Sequence, residues 1–141
     1  MTAKVRSDEV IPGEELESWS YHVQRADLVA YANASGDDNP IHQDEAFAKS
    51  VGLPDVIAHG MHTMAKVGQF VTEWCGDPGG VEQYKARFTA MVVVPADAGN
   101  TVTVTGVVAE KLDGGRARLE VQASTADGGV AAKAEAIVRL A

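Results

Sequence analysis

Residues 55–75 read Asp55-Val56-Ile57-Ala58-His59-Gly60-Met61-His62-Thr63-Met64-Ala65-Lys66-Val67-Gly68-Gln69-Phe70-Val71-Thr72-Glu73-Trp74-Cys75. This is the longest helical pattern in the chain, and Gly76-Asp77-Pro78-Gly79-Gly80 ends it. Val56, Ile57, Met61, Met64, Val67, Phe70, Val71 and Trp74 cover most sides of such a helix. Ala58, Gly60, Ala65 and Gly68 sit among them. A helix that is apolar nearly all round belongs at the centre of a fold. The pattern predicts a buried helix over about Ile57 to Cys75, with Asp55 at its approach.

C-terminal to this helix the period changes to two. Val81 to Ala90 sets Tyr84, Ala86 and Phe88 opposite Lys85, Arg87 and Thr89. Asn100–Lys111, Arg116–Thr125 and Val130–Leu140 read as further strands, joined by the hairpin signals Asp113-Gly114-Gly115 and Asp127-Gly128-Gly129. On the N-terminal side, residues 15–23 alternate as a strand. Arg25–Ala34 reads as a short helix with Leu28, Val29, Tyr31 and Ala32 inward, and Asp44 opens another through Ser50, closed by Gly52. An antiparallel meander must bury one face, and the apolar helix is the filling at hand. The expectation is an α+β fold: one antiparallel sheet around a long central helix, in a single domain over residues 1–141. No repeat, linker or low-complexity segment interrupts it.

The chemistry gathers just before that helix, in Tyr31-Ala32-Asn33-Ala34-Ser35-Gly36-Asp37-Asp38-Asn39-Pro40-Ile41-His42. Pro40 disfavours helical backbone at Asn39 and has no N–H of its own, so a rigid turn presents Asp37 and His42. A carboxylate and an imidazole so held can move a proton on and off water or carbon. A turn carboxylate and a structural histidine are the plainer readings of the same residues. Asn39 fixes the loop or a water through its side chain. In Ala58-His59-Gly60-Met61, a glycine at a helix start offers its N–H to a developing oxyanion. The plainer reading of Gly60 is close packing. The two clusters together suggest proton transfer next to a carbonyl.

Ser35-Gly36-Asp37-x-Asn39-Pro40-Ile41-His42 resembles the hydratase-2 motif of the MaoC-like dehydratases, and Ala58-His59-Gly60-Met61 resembles their second signature at the expected distance. The likeness runs over almost the whole chain and is closest to actinobacterial dehydratase subunits with one hot-dog domain, the HadB type. It implies a hot-dog fold and reversible syn addition of water across a trans-2-enoyl thioester, giving a (3R)-3-hydroxyacyl thioester of CoA or a carrier protein. On the same grounds Asp37 and His42 hold the attacking water, and the Gly60 N–H polarises the thioester carbonyl. Asn39, His59, Met61 and His62 fall at substrate-facing positions, with His59 more structural than catalytic. His62 departs from the family, where the position is usually apolar, and this puts the acyl pocket in question. The resemblance also implies a dimer, with a second copy or with a related subunit that lacks the dyad.

Composition narrows the field. The chain has 141 residues, enough for one core, and a net charge of −8, which argues against nucleic acid or an anionic membrane surface as partner. Lys85, Arg87, Arg116 and Arg118 could form a local patch for an acidic carrier, although scattered solvated charges are the commoner outcome. The single cysteine, Cys75, precludes an intrachain disulfide, fits a reducing cytoplasm and reads as a buried structural thiol. Met1–Glu9 shows no apolar leader core, and no run has the length of a membrane span. Neither a phosphate-binding loop nor a dinucleotide fingerprint is present, and the chemistry calls for no organic cofactor or metal. A site of His42, His59 and His62 lacks an acidic or thiol ligand at matching spacing. Three other functions compete. A hot-dog thioesterase is disfavoured because residues 56–72 carry no carboxylate. A non-catalytic partner subunit would lack the Asp and His. A relative recruited to secondary metabolism, adding an internal hydroxyl in an oxa-Michael cyclisation, would use the same dyad.

Overall fold

The computed structural model describes residues 5–141. Residues 1–4, the start of the Met1–Glu9 stretch, lie outside the described residues. The elements are β1 (Trp19–Val23), α1 (Arg25–Ser35), a 3-10 turn (Pro40–His42), α2 (Glu45–Ser50), α3 (Gly60–Cys75), a second 3-10 turn (Pro78–Gly80), β2 (Val81–Phe88), β3 (Asn100–Leu112), β4 (Arg116–Ser124) and β5 (Val130–Arg139). The strands form one antiparallel sheet in the order β1-β3-β4-β5-β2, curved around α3 in a hot-dog arrangement.

The sheet follows from its alternation. Val102, Val104 and Val108 of β3, Leu119, Val121 and Ala123 of β4, and Ala134, Ala136 and Val138 of β5 are all buried beneath α3. Val67, Phe70, Val71 and Cys75 of the helix meet them in one core. Gly106 admits the helix closely: a Cβ there would stand 3.1 Å from the Phe70 ring. The β3–β4 hairpin turns on Gly114 and Gly115, both at positive φ (75° and 72°), the backbone that matches strand twist and that side chains disfavour. Asp44 caps α2 as its sequence predicts, its carboxylate accepting the Phe47 N–H at 3.0 Å.

The central helix differs from expectation in two ways. It starts at Gly60, and residues 56–58 are extended. Their backbone groups are engaged elsewhere: Val94 N–H donates to Val56 O (2.8 Å), Ala58 N–H to Val92 O (2.8 Å) and Ile57 N–H to Ile41 O (3.2 Å). A peptide group bound to a neighbouring segment cannot also serve a helical ladder. The helix is also not covered all round, because Met61, Ala65, Gln69 and Glu73 leave one exposed stripe at four-residue spacing.

Smaller differences follow the same logic. The first strand is Trp19–Val23 rather than residues 15–23, with Glu15 bridging separately to Val107. Val29 of α1 is exposed, and only Leu28 and Ala32 of its expected inward face are buried. Three of the four residues of the expected basic patch enter ion pairs: Arg118 lies against Glu110, Glu120 and Glu135, Arg116 against Glu82, and Lys85 against Glu135, whereas Arg87 makes none among the described residues. Cys75 is buried, and burial pushes its thiol pKa up, as a structural thiol requires. No helix among the described residues is long and apolar enough to cross a membrane.

Candidate active site

Helix α1 ends at Gly36, whose left-handed backbone (φ 81°) donates its N–H to Ala32 O and releases the chain straight into Asp37. The next turns are tied by short side chains. Asp37 N–H donates to Ser35 Oγ, Asn39 N–H to Asp37 Oδ1 at 3.3 Å, and Ile41 N–H to Asn39 Oδ1 at 3.2 Å. Asn39 thus caps the 3-10 turn Pro40–His42, which carries His42 inward. Asp37 stays exposed, whereas His42 keeps only 7% of its surface.

The hydrogen bonds fix the ring nitrogens. His42 Nδ1 lies 2.7 Å from Ile57 O. A carbonyl only accepts, so in the neutral ring Nδ1 carries the proton and Nε2 keeps its lone pair. Burial holds the His42 pKa below the ordinary imidazole value; the bond to Ile57 opposes this, the adjacent His59 adds to it, and Asp37 opposes it. His42 is therefore a neutral base with a free nitrogen at neutral pH. By the same argument His59 Nε2–H donates to Asp37 O at 3.1 Å, and His59 Nδ1 is buried without a partner. The two imidazoles stack at 3.8 Å with planes 25° apart, and the Tyr31 ring lies 4.6 Å from His59, tilted by 57°.

Asp37, His42 and His59 come within 4.8 Å of one another by their ligand atoms, a carboxylate and two imidazoles that the sequence spacing did not reveal as a group. A metal held by imidazole lies in the ring plane. One nitrogen of each ring is bound to a carbonyl, which leaves His42 Nε2 and His59 Nδ1 as the ring atoms available to an ion or a proton. A carboxylate and an imidazole this close can also pass a proton. His62 stands apart from it, half-buried between Tyr31 (5.5 Å) and Tyr21 (6.3 Å), and its pKa is lowered by burial and by Lys66.

Gly60 is the first residue of α3, and its N–H has no partner among the described residues. A Cβ at this position would stand 3.2 Å from the Phe88 ring. The free donor and the dyad are linked by the chain itself, because His59 precedes Gly60 and bonds Asp37. Met61, the next residue, is 57% exposed, and Phe88 and Met91 are exposed as well. Of the residues the sequence places at substrate, Asn39 is engaged in the turn, His59 is buried against His42, Met61 is exposed on α3, and His62 is half-buried between Tyr21 and Tyr31. A groove of about 870 Å3 opens elsewhere, between Leu16, Thr105, Gln122 and Lys133, and none of these site residues lines it.

Sequence reasoning passed over two residues that build this site. Arg25 gathers the segments around the dyad: it donates to Val94 O (3.0 Å), Glu45 (3.2 Å) and Asp55 (2.6 Å). Tyr31 packs on His59, and its signals in the sequence were its place in the quoted motif and on the inward face of α1, neither of which pointed to His59.

The family described as MaoC like domain matches residues 8–127. The 3-hydroxyacyl-thioester dehydratase X of Mycobacterium tuberculosis is 42% identical over 74 residues, covering 52% of this chain and 25% of that protein. A solved MaoC-like dehydratase superposes with TM-score 0.92 at 39% identity, over 96% of this chain and 42% of the other. The (R)-hydratase of A. caviae involved in PHA biosynthesis gives TM-score 0.82 at 26% identity, over 94% and 98%. The chain spans no more than 25% of the length of the first curated relatives it matches.

Proposed function

This chain belongs to the MaoC-like dehydratase family, and from that premise we propose that it interconverts trans-2-enoyl and (3R)-3-hydroxyacyl thioesters of CoA or a carrier protein. The observation that carries the reading is the Asp37–His42 pair, with the free His42 Nε2 aimed out of a buried ring beside an exposed carboxylate. In the hydration direction a water donates hydrogen bonds to Asp37 and to His42 Nε2, which leaves a lone pair for C3 of the enoyl group. As the O–C3 bond forms, the C2=C3 electrons shift toward the thioester carbonyl and the Gly60 N–H takes up the developing charge. One such donor is worth about 3 kcal/mol. The dyad accepts the water's proton and a proton is delivered to C2, so the hydroxyl and hydrogen add to the same face. Dehydration runs these steps backwards. The residues in the site supply all of this without a metal or organic cofactor.

The active unit in this reading is a dimer. Strand β2 is a sheet edge, and the Met61–Glu73 stripe, Phe88 and Met91 are uncovered beside it. Pairing two sheets along β2 covers both the edge and the apolar flank, and it roofs a dyad that lies open in a single chain. The partner is a second copy or a related hot-dog subunit without the dyad. A single buried thiol with no cysteine to pair with fits a reducing compartment, and the proposed site of action is the cytoplasm.

The test is purified protein with an enoyl-CoA series from crotonyl to long-chain, followed by loss of enoyl absorbance and release of free thiol. Hydration without thiol release is the expected result. Thiol release alone would make the protein a thioesterase, and no turnover on CoA or carrier thioesters would refute the reading.

A further inference from the structure

The loop that presents Asp37 is held almost entirely by its own neighbours. Every hydrogen bond formed by residues 36–39 reaches only a few positions along the chain, with one exception among the described residues: Asp37 O to His59 Nε2, across 22 positions. That bond is the third rung of a lace. Ile57 N–H donates to Ile41 O, His42 Nδ1–H to Ile57 O, and His59 Nε2–H to Asp37 O. The lace joins the segment bearing the dyad to the segment that ends at Gly60, and so ties the position of Asp37 and His42 to that of the Gly60 N–H. His59 contributes twice, since its ring also lies flat on His42 at 3.8 Å, with the Tyr31 ring 4.6 Å from it. It is only 1% exposed, so it acts from behind the site and does not touch substrate. Its Nδ1 finds no partner, which is an energetic cost that a purely space-filling residue, such as a phenylalanine, would avoid.

We propose that His59 is a positioning residue, which holds the dyad in register with the Gly60 N–H through its bond to the Asp37 carbonyl and its stack on His42. This rests on the hydratase reading of the same site. Two substitutions separate the two contacts. His59→Phe keeps a ring against His42 and removes the donor; His59→Gln places an amide N–H where Nε2 stood and removes the ring.

In the assay above, His59→Phe lowers kcat about a hundredfold with KM within about threefold, the cost of misplacing reacting groups by about 1 Å. His59→Gln retains the loop tie and loses less, about tenfold. Nitrogen-15 NMR of the imidazoles gives an independent readout. Removing the ring exposes His42 and takes away a neighbour that lowers its pKa, so in His59→Gln the His42 pKa rises toward the ordinary imidazole value and the acid limb of the rate profile moves up with it. Folded variants with kcat within twofold of the parent and an unmoved His42 titration would overturn the proposal. So would losses of kcat that merely track a fall in Tm. If His59→Phe does not fold, His59→Gln alone decides through kcat and the NMR titration. If the parent protein turns over no thioester, the hydratase reading fails while the His42 titration in His59→Gln still tests the positioning role.

Discussion

The β3–β4–β5 meander and the short run from Asp55 to Gly60 show two ways a sequence specifies structure. In the meander each strand pairs with its sequence neighbour, and alternation alone decides which residues go inward. Gly114 and Gly115 set the turn, and register follows. In residues 55–60 nothing local decides. Val56, Ile57 and Ala58 continue a helical pattern, yet their peptide groups bind Val92, Val94 and Ile41, segments up to 38 positions away. Pattern governs where a segment answers only to its neighbours. Where a site needs backbone carbonyls and N–H groups as ligands for side chains, long-range pairing overrides pattern.

The sharpest way to break this comparison is to strike each region and ask which quantity moves. Asp37→Asn and His42→Ala each remove one positioned proton-transfer group and should lower hydration at least about a hundredfold, with far-UV circular dichroism like the parent's. Tm should hold for Asp37→Asn and fall for His42→Ala, which empties a buried ring site and leaves Ile57 O without its donor. Near-normal turnover by either folded variant would sink the dyad. Leu119→Ala in the meander should do the reverse. The side chain is fully buried under α3, so its loss costs about 3 kcal/mol in urea unfolding, with kcat of the folded protein unchanged.

Arg25→Met falls between the two. It takes one guanidinium from Val94 O, Glu45 and Asp55 and leaves the half-buried Asp55 carboxylate facing less charge. The expected loss is about 2 kcal/mol in urea unfolding, together with a fall in kcat, because Asp55 anchors the run that carries the lace. A stability loss with kcat untouched would detach this ion pair from the site. Gly115→Ala should cost about 1 kcal/mol, the penalty for a Cβ at positive φ, again without an effect on kcat.

Much of the molecule was readable from the chain because its signals are local. Asp44 caps α2, Gly36 ends α1, Asn39 and Pro40 shape the turn before His42, and the glycine pairs close the hairpins. The proximity of Asp37 and His42 was legible for the same reason: the rigid turn brings two residues of one motif together. The start of α3 was not, since the bonds that delay it come from Ile41 and residues 92–94. The exposed stripe was also hidden. Apolar and small residues there look like core in sequence, and only the position of the sheet shows that Met61 and Ala65 face outward. The stacking of His42 on His59 is a tertiary fact with no counterpart in spacing.

The smallest expected effect is in the pH dependence of stability, and it distinguishes the two regions once more. Burial lowers the pKa of His42 and of His62, both in or beside the site, whereas the meander's inward face carries no titratable group to contribute. A histidine whose folded pKa lies below its unfolded value of about 6.5 binds fewer protons folded than unfolded between those two values. Stability must therefore fall as pH drops from about 6.5 toward the folded pKa, and flatten below it. Each such histidine contributes a slope of at most about 1.4 kcal/mol per pH unit. Urea unfolding between pH 7.5 and 5 should show the decline in the parent protein. Replacing His42 with Gln, which does not titrate, should reduce the slope, and Leu119→Ala should leave it unchanged while lowering the whole curve. A slope that is the same with and without His42 would mean that its imidazole is not desolvated in the folded protein, and burial would then play no part in keeping that base neutral at mildly acidic pH.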